Sequence, residues 1–104
     1  MIGYDFDGVI TAGHPPEPGS VIITGRTIIE APATLKYLKQ IKVWCPVFFN
    51  HIPFKDKTDL TSAVHKARLI QMLGVDTFYE DTLAQAEIIK SMAPLCDVIL
   101  VRQG

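Results

Sequence analysis

The chain has 104 residues, of which 48% are hydrophobic, and a formal net charge of -1 from 10 basic and 11 acidic side chains. This length and apolar content fit one domain with one core, and the charge balance excludes binding to nucleic acid through a strongly basic surface. No apolar run is long enough to span a membrane, and a strand pattern carrying Asp stands where a signal peptide would, so we expect a cytoplasmic protein. Cys45 and Cys96 lie in apolar runs without metal-ligand spacing, which indicates free thiols in a reducing compartment.

The first strand is predicted over residues 2–6, in the stretch M-I-G-Y-D-F-D-G-V-I-T. Asp5 and Asp7 are two residues apart, so in an extended chain their side chains point to the same face, and Gly8 lets the backbone turn away after them. Two carboxylates that close repel each other unless a cation or a shared proton compensates them. The pair therefore indicates Mg2+ binding, acid–base chemistry or both; two solvated Asp residues at a strand-ending turn would give the same pattern.

The segment 8–20 is predicted to be a loop over the end of the first strand, because its three glycines and three prolines exclude a regular helix. His14 in this loop has the chemistry of a catalytic group, but a histidine beside two prolines is more often an exposed loop residue. The second strand ends in Thr24 and Gly25, directly before a predicted helix. A hydroxyl and backbone N–H groups at a helix N-terminus suit an anion, although an ordinary helix cap explains the segment equally well.

Four further strands and three helices are predicted along the rest of the chain. The strands cover residues 20–26, 43–50, 77–81 and 97–101. The helices cover residues 27–41, from 58 or 59 to 73, and 83–92. Pro46 in the third strand has no N–H to donate, so this strand should lie at a sheet edge or carry a bulge. Strands that alternate with helices predict a parallel sheet with helices on both faces.

Three more charged residues lie in the helix before the fourth strand and at the end of that strand: Lys66, Glu80 and Asp81. Four stretches of the chain form a series of motifs, in chain order Y-D-F-D-G-V-I-T, V-I-I-T-G-R, H-K-A-R-L-I-Q-M-L-G-V and F-Y-E-D-T. They resemble the motifs of the haloacid dehalogenase superfamily of phosphotransferases. The resemblance implies one domain over 1–104 with a three-layer, Rossmann-like α/β fold. It also implies a five-stranded parallel sheet in the order 5-4-1-2-3, because Asp5, Thr24 and Asp81 must reach one phosphoryl group.

The resemblance also implies a role for each matching residue. Asp5 would be the nucleophile that forms an aspartyl-phosphate, Asp7 would protonate the leaving oxygen and activate water, and Lys66 would neutralise charge on the phosphoryl group. The implied phosphate-binding residues are Thr24, Gly25, Arg26 and Gly8. The implied Mg2+ ligands are a carboxylate oxygen of Asp5, the backbone carbonyl of Asp7, Asp81 and Glu80, the last either on the metal or behind a ligand.

Some of these assignments have alternatives within the sequence. Lys66 could be a solvated helix lysine, with Lys55 or Lys57 of the loop before that helix supplying the cation. Arg26 could grip a substrate phosphate or face solvent. Glu80 could be a surface residue at the end of its strand.

The function implied by the resemblance is Mg2+-dependent hydrolysis of a phosphomonoester: a nucleotide, a polynucleotide end or a sugar phosphate. Two other functions stay open, a phosphate- or nucleotide-binding module without turnover and a subunit that serves assembly. The family usually carries a cap domain, for which the segments 8–20 and 50–59 are too short. The uncapped site, with Trp44, Phe48 and Phe49 beside an edge strand, favours a homo-oligomer; a nucleic-acid end would instead cover the site itself.

Overall fold

Five short parallel strands form the sheet in the computed structural model, which describes residues 1–101. The strands are β1 (Ile2–Tyr4), β2 (Val21–Thr27), β3 (Val47–Asn50), β4 (Thr77–Glu80) and β5 (Asp97–Leu100). The helices are α1 (Ala31–Gln40), α2 (Asp59–Leu73) and α3 (Leu83–Met92). The strand order is β3-β2-β1-β4-β5, with every neighbouring pair parallel. Counted from the opposite edge, this is the predicted order 5-4-1-2-3, so the predicted α/β class and sheet are confirmed.

Helices cover both faces of the sheet, and each face has its own buried apolar cluster. Ile23 and Phe78 lie under α2 and α3 in the first cluster. Ile22 lies in the second, with Phe6 and with Leu38 of α1. Successive side chains of a strand point to opposite faces, and both Ile22 and Ile23 are fully buried. The sheet is therefore the middle layer of three, as the alternation of strands and helices predicted.

The helices on the first face begin and end where the sequence predicted. Thr58 caps α2, because its Oγ1 accepts a hydrogen bond from the backbone N of Thr61 at 3.1 Å. Gly74 ends α2 in the left-handed conformation, with φ 70°. The helix predicted over 27–41 consists instead of a 3-10 turn, Ile28–Glu30, followed by α1. Within residues 1–101, none of the helices has the length and apolar character needed to cross a membrane.

The strand β3 lies at an edge of the sheet, as Pro46 predicted. It begins at Val47 rather than at residue 43, because the backbone N of Val43 donates back to the carbonyl of Leu38 at 2.9 Å and still belongs to the turn after α1. Pro46 joins the sheet through its carbonyl, which accepts a hydrogen bond from the backbone N of Ile22 at 2.9 Å.

The central strand β1 ends at Tyr4, earlier than predicted, and the chain continues into a helical turn, Phe6–Ile10. Asp5 caps this turn, since its Oδ1 accepts a hydrogen bond from the backbone N of the next residue at 2.8 Å. Gly8 has φ 77°, a left-handed conformation that glycine adopts readily, and the chain leaves the sheet there. Residues 8–10 belong to this turn, which is not a regular helix, since Asp7 and Gly8 have non-helical backbone angles; within 8–20 there is no regular helix, as the glycines and prolines predicted.

Candidate functional site

The carboxyl ends of β1, β2 and β4 meet at a cavity of about 300 Å3. Its lining residues come from these strand ends, from the loop before α2, and from α2 and α3: Asp5, Asp7, Gly25, Arg26, Lys57, Ser62, Lys66, Asp81, Thr82 and Gln85. Larger cavities of about 460 and 480 Å3 are lined mainly by apolar side chains. Five charged residues that the sequence singled out thus line one small polar cavity at the carboxyl edge of the sheet: Asp5, Asp7, Arg26, Lys66 and Asp81. Glu80, also singled out, is fully buried and is not among the lining residues.

Lys66 lies at the centre of this site and is only 2% exposed. Its Nζ is 3.1 Å from Asp5 Oδ1 and 2.7 Å from Glu80 Oε1, and it donates to Gln85 Oε1 at 2.7 Å. Its hydrogen bonds go to Glu80 Oε1 and Gln85 Oε1, and its contact with Asp5 is an ion pair. Lys66 is therefore not a solvated helix lysine, whereas Lys57, at the same cavity, is paired with a different carboxylate, that of Glu30, at 3.2 Å.

Burial and charge act against each other in this cluster. Burial raises the pKa of Asp5 well above its usual range, the charge of Lys66 opposes that rise, and the charge of Glu80 adds to it. Burial lowers the pKa of Lys66, but the two carboxylates outweigh it and the pKa is raised. The lysine stays charged, and the formal charges of Lys66, Asp5 and Glu80 sum to -1. Such a cluster favours the approach of a further cation.

Three carboxylates could hold that cation. Asp5, Glu80 and Asp81 each place one oxygen within 4.8 Å of the others, and carboxylate oxygens are the ligands that Mg2+ prefers. Glu80 is fully buried, and both of its carboxylate oxygens accept hydrogen bonds. Lys66 donates to Glu80 Oε1. The backbone N groups of Asp81 and Thr82 donate to Glu80 Oε2 at 3.1 and 3.2 Å. Glu80 is therefore not a surface residue, and these bonds make it the group that fixes Lys66 and Asp81 in place.

Asp7 faces Arg26 across the mouth of the cavity. Arg26 Nε and Nη2 donate to Asp7 Oδ2 and Oδ1 at 2.9 and 2.8 Å, and Nη1 donates to Thr34 Oγ1 at 3.2 Å. The guanidinium also lies 4.8 Å from the centre of the Phe6 ring. Burial raises the pKa of Asp7, but the hydrogen bonds and charge of Arg26 outweigh it and the pKa is lowered. Arg26 thus belongs to the cavity rather than to the solvated surface.

The other predicted residues lie near the cavity in different ways. Gly25 lines it, but Thr24 is fully buried and is not among the lining residues; the Oγ1 of Thr24 accepts a hydrogen bond from the backbone N of Arg26 at 3.1 Å. Gly8 donates from its backbone N to Thr11 Oγ1 at 2.8 Å and is outside the lining too. His14 is an exposed loop residue. Contacts of Thr24 and Gly8 with a phosphoryl group stay predictions.

Three lining residues were missed from the sequence: Ser62, Thr82 and Gln85. Gln85 accepts from Lys66 and donates from its Nε2 to Asp59 Oδ1 at 2.8 Å, so it links α3 to the start of α2. Ser62 is 3% exposed and lies four residues before Lys66, hence on the same face of α2. That spacing was the available signal for Ser62, whereas the role of Gln85 depends on how the two helices pack.

Gly25 is the position in β2 where a side chain would collide with α2. A Cβ there would lie 2.7 Å from Ser62 Cβ and nearer still to Ser62 Oγ. We expect Gly25→Ala to lower the free energy of unfolding by about 1–3 kcal/mol, the usual cost of overpacking. In a Ser62→Gly background the nearest remaining contact is the Ser62 Cα at 3.6 Å, so the same change should cost less there. Urea unfolding of the four proteins measures both costs, and equal costs would contradict this contact.

Residues of the quoted motifs lie together at the carboxyl edge of the sheet. Three of the four quoted motifs supply Asp5, Lys66, Glu80 and Asp81; Asp5, Lys66 and Asp81 line the cavity, and the fully buried Glu80 pairs with Lys66. The sheet order also agrees with the order that the resemblance implies. Comparison of the chain with family models, with curated proteins and with solved structures gives no match.

Proposed function

We propose that this protein is a Mg2+-dependent phosphomonoester hydrolase of the haloacid dehalogenase type, with a Rossmann-like fold and Asp5 as its nucleophile. The observation that carries the proposal is the buried Asp5–Lys66–Glu80 cluster beside the partly exposed Asp81. A carboxylate can attack an anionic phosphoryl group only when cations reduce the repulsion between them. Lys66 supplies one positive charge, and the acidic cluster suits a metal ion that supplies more.

The residues divide the reaction into two displacements. An oxygen of Asp5 forms a bond to phosphorus while the ester P–O bond breaks, and Asp7 donates the proton that the leaving oxygen needs. Water then attacks the phosphorus of the aspartyl-phosphate, Asp7 takes a proton from it, and the bond to Asp5 breaks with release of phosphate. Mg2+, held by Asp5, Asp81 and the backbone carbonyl of Asp7, would add positive charge beside the phosphoryl oxygens.

Arg26 supports the assignment of the phosphate-binding side of the cavity. Three of its five N–H donors go to Asp7 and Thr34, which leaves two for phosphoryl oxygens. The resemblance adds Thr24, Gly25 and Gly8 to this set. A phosphoryl group that shares the guanidinium with Asp7 would weaken the ion pair that keeps Asp7 ionised, and would so favour its protonated form.

The proposed substrates are the classes that the sequence predicted, because the open site excludes none of them: nucleotides, polynucleotide ends and sugar phosphates. The homo-oligomer also remains part of the proposal. Trp44 is 75% exposed and supports it, whereas Phe48 is partly buried against the core under α2 and α3, so the apolar surface beside β3 is smaller than the sequence suggested.

Hydrolysis of p-nitrophenyl phosphate with Mg2+, and then with EDTA, tests the proposed function. We expect turnover that EDTA abolishes and excess Mg2+ restores. Asp81→Asn should raise the Mg2+ concentration needed for half-maximal rate, because it removes one carboxylate of the cluster, whereas Asp97→Asn at the exposed start of β5 should not.

The first alternative function is a phosphate-binding module without turnover. Such a module would need the cationic side chains at the cavity, but it would not need a nucleophile beside an acidic cluster. The absence of metal-dependent hydrolysis, with this ester and across a panel of nucleotides, oligonucleotide 3′- and 5′-phosphates and sugar phosphates, would contradict the enzyme and favour that module. If such a protein also bound no phosphate, the assembly function would be left.

A further inference from the structure

The hydroxyl of Ser62 opens into the cavity. Ser62 is 3% exposed and lines the cavity, and within residues 1–101 no hydrogen bond of its Oγ to the protein is found. Among these residues the one enclosed side-chain polar atom without a partner is Asn50 Nδ2, so Ser62 Oγ is accessible from the cavity. Thr82, the other hydroxyl-bearing lining residue, donates to Asp81 Oδ1 at 3.2 Å. A hydroxyl carries one donor and two acceptor lone pairs, and those of Ser62 are available to a molecule in the cavity.

The fold brings this hydroxyl to the cavity by two features. Ser62 is one helical turn before Lys66 on α2, so both side chains lie on one helix face. On the opposite side Gly25 leaves room for it, since a Cβ at that position would lie 2.7 Å from Ser62 Cβ. The hydroxyl therefore lies between the strand end that carries Arg26 and the helix that carries Lys66.

The cavity around Ser62 offers cationic groups to an anion beside the carboxylates proposed to hold Mg2+. Three cationic side chains line it, Arg26, Lys57 and Lys66, together with three carboxylates, Asp5, Asp7 and Asp81. Thr24, the hydroxyl that the motif suggests for phosphate binding, is fully buried outside the lining and accepts a hydrogen bond from the backbone. Ser62 thus offers a side-chain hydroxyl within the cavity whose donor is not committed to a protein acceptor.

We propose that Ser62 is a substrate-binding residue of this site and that its Oγ–H donates to a phosphoryl oxygen. This inference rests on the proposed function and names a contact that the four motifs do not contain. A hydrogen bond from a neutral donor to a charged oxygen is among the stronger ones in proteins. Its loss should lower the affinity for inorganic phosphate by about ten- to a hundredfold.

Titration calorimetry with inorganic phosphate in the presence of Mg2+ measures this affinity without turnover. Ser62→Ala should bind phosphate about ten- to a hundredfold more weakly, with an unchanged urea midpoint, because Ala is a good helix former. Ser20→Ala is the matched control, since Ser20 is also 3% exposed but precedes β2 at the other edge of the sheet. Its phosphate affinity should equal that of the wild type.

The possible outcomes separate this inference from the proposed function. If the wild type binds phosphate and Ser62→Ala binds it equally well, the role of Ser62 is wrong and the enzyme proposal stands. If Thr24→Val weakens binding and Ser62→Ala does not, the phosphate contact belongs to Thr24. If the wild type neither binds phosphate nor hydrolyses an ester, both proposals fall.

Discussion

We expect Asp5→Asn to lower turnover about ten-thousandfold or more, the effect of removing the nucleophile of a covalent mechanism. A carboxamide nitrogen or oxygen does not form the aspartyl-phosphate at a useful rate, and Lys66 and Asp81 cannot replace the missing oxygen. Initial rates with p-nitrophenyl phosphate measure the loss. Asp97→Asn, a change of the same chemistry at an exposed position, should keep wild-type rates. Near-normal rates for Asp5→Asn would show that the covalent route is wrong.

The same variant should be at least as stable as the wild type. Burial raises the pKa of Asp5, so its contribution to stability is fully present below the unfolded-state pKa of about 3.9 and is lost as pH rises through the folded-state value. Above its folded-state pKa the wild-type Asp5 has lost that contribution, whereas a neutral Asn of similar volume has no such loss. Urea unfolding at pH 5 and pH 8 should show that the free energy of unfolding of the variant, relative to that of the wild type, is higher at pH 8 than at pH 5. A stability loss above about 1 kcal/mol at pH 8 would contradict this.

Lys66→Met should lower the free energy of unfolding by about 3–5 kcal/mol at pH 8, the usual cost of removing one partner from a buried ion pair. The change leaves Asp5 and Glu80 buried together without their cation. Met has a similar length and fills the space, so lost packing contributes little. Without Lys66 the pKa of Asp5 rises further, and a raised pKa removes stability as pH increases through it. The loss in free energy of unfolding caused by Lys66→Met should therefore be smaller at pH 5 than at pH 8.

Two further variants test whether the stability loss of Lys66→Met comes from the buried charge cluster. Lys90→Met, on the exposed side of α3, should change stability by less than about 0.5 kcal/mol. The double variant Lys66→Met with Asp5→Asn should recover part of the loss, because only one buried carboxylate then lacks its cation; the coupling of neighbours is about 0.5–3 kcal/mol. Full stability of Lys66→Met at pH 8, or no recovery in the double variant, would contradict the buried cluster.

The sequence was sufficient for the elements whose ends have local chemical causes. Thr58 and Gly74 fix the bounds of α2 through a side-chain cap and a left-handed glycine, and Pro46 correctly indicated an edge strand. The length of β1 was not predictable, because Phe6 has the apolar character of a strand residue. There the side chain of Asp5 caps the following turn, a contact that propensity does not reveal.

The residues of the candidate site also differ in whether the sequence could predict them. Asp5, Lys66 and Asp81 could be found because each lies at a strand end or on the helix face that the topology turns towards it. Ser62 had only its four-residue spacing from Lys66 as a signal, and its place at the cavity depends on the contact of Gly25 with α2. Gln85 had no such signal, since its position depends on the packing of α2 against α3. The placement of these two residues is a property of the tertiary structure, whereas a motif records only spacing along the chain.

The proposed nucleophile is held by the middle of the sheet. The backbone N of Asp5 donates to the carbonyl of Tyr79 at 3.0 Å, which continues the β1–β4 ladder by one residue, and Glu80 and Asp81 follow directly on β4. The spacing between the nucleophile and the acidic cluster is thus set by ladder register, so a slip of one residue would turn Asp5 to the wrong face. The amide proton of Asp5 can exchange with solvent only when the centre of the sheet opens. Local fraying at the β3 edge or in α1 therefore leaves the reactive groups aligned, and the site is lost only with the fold itself.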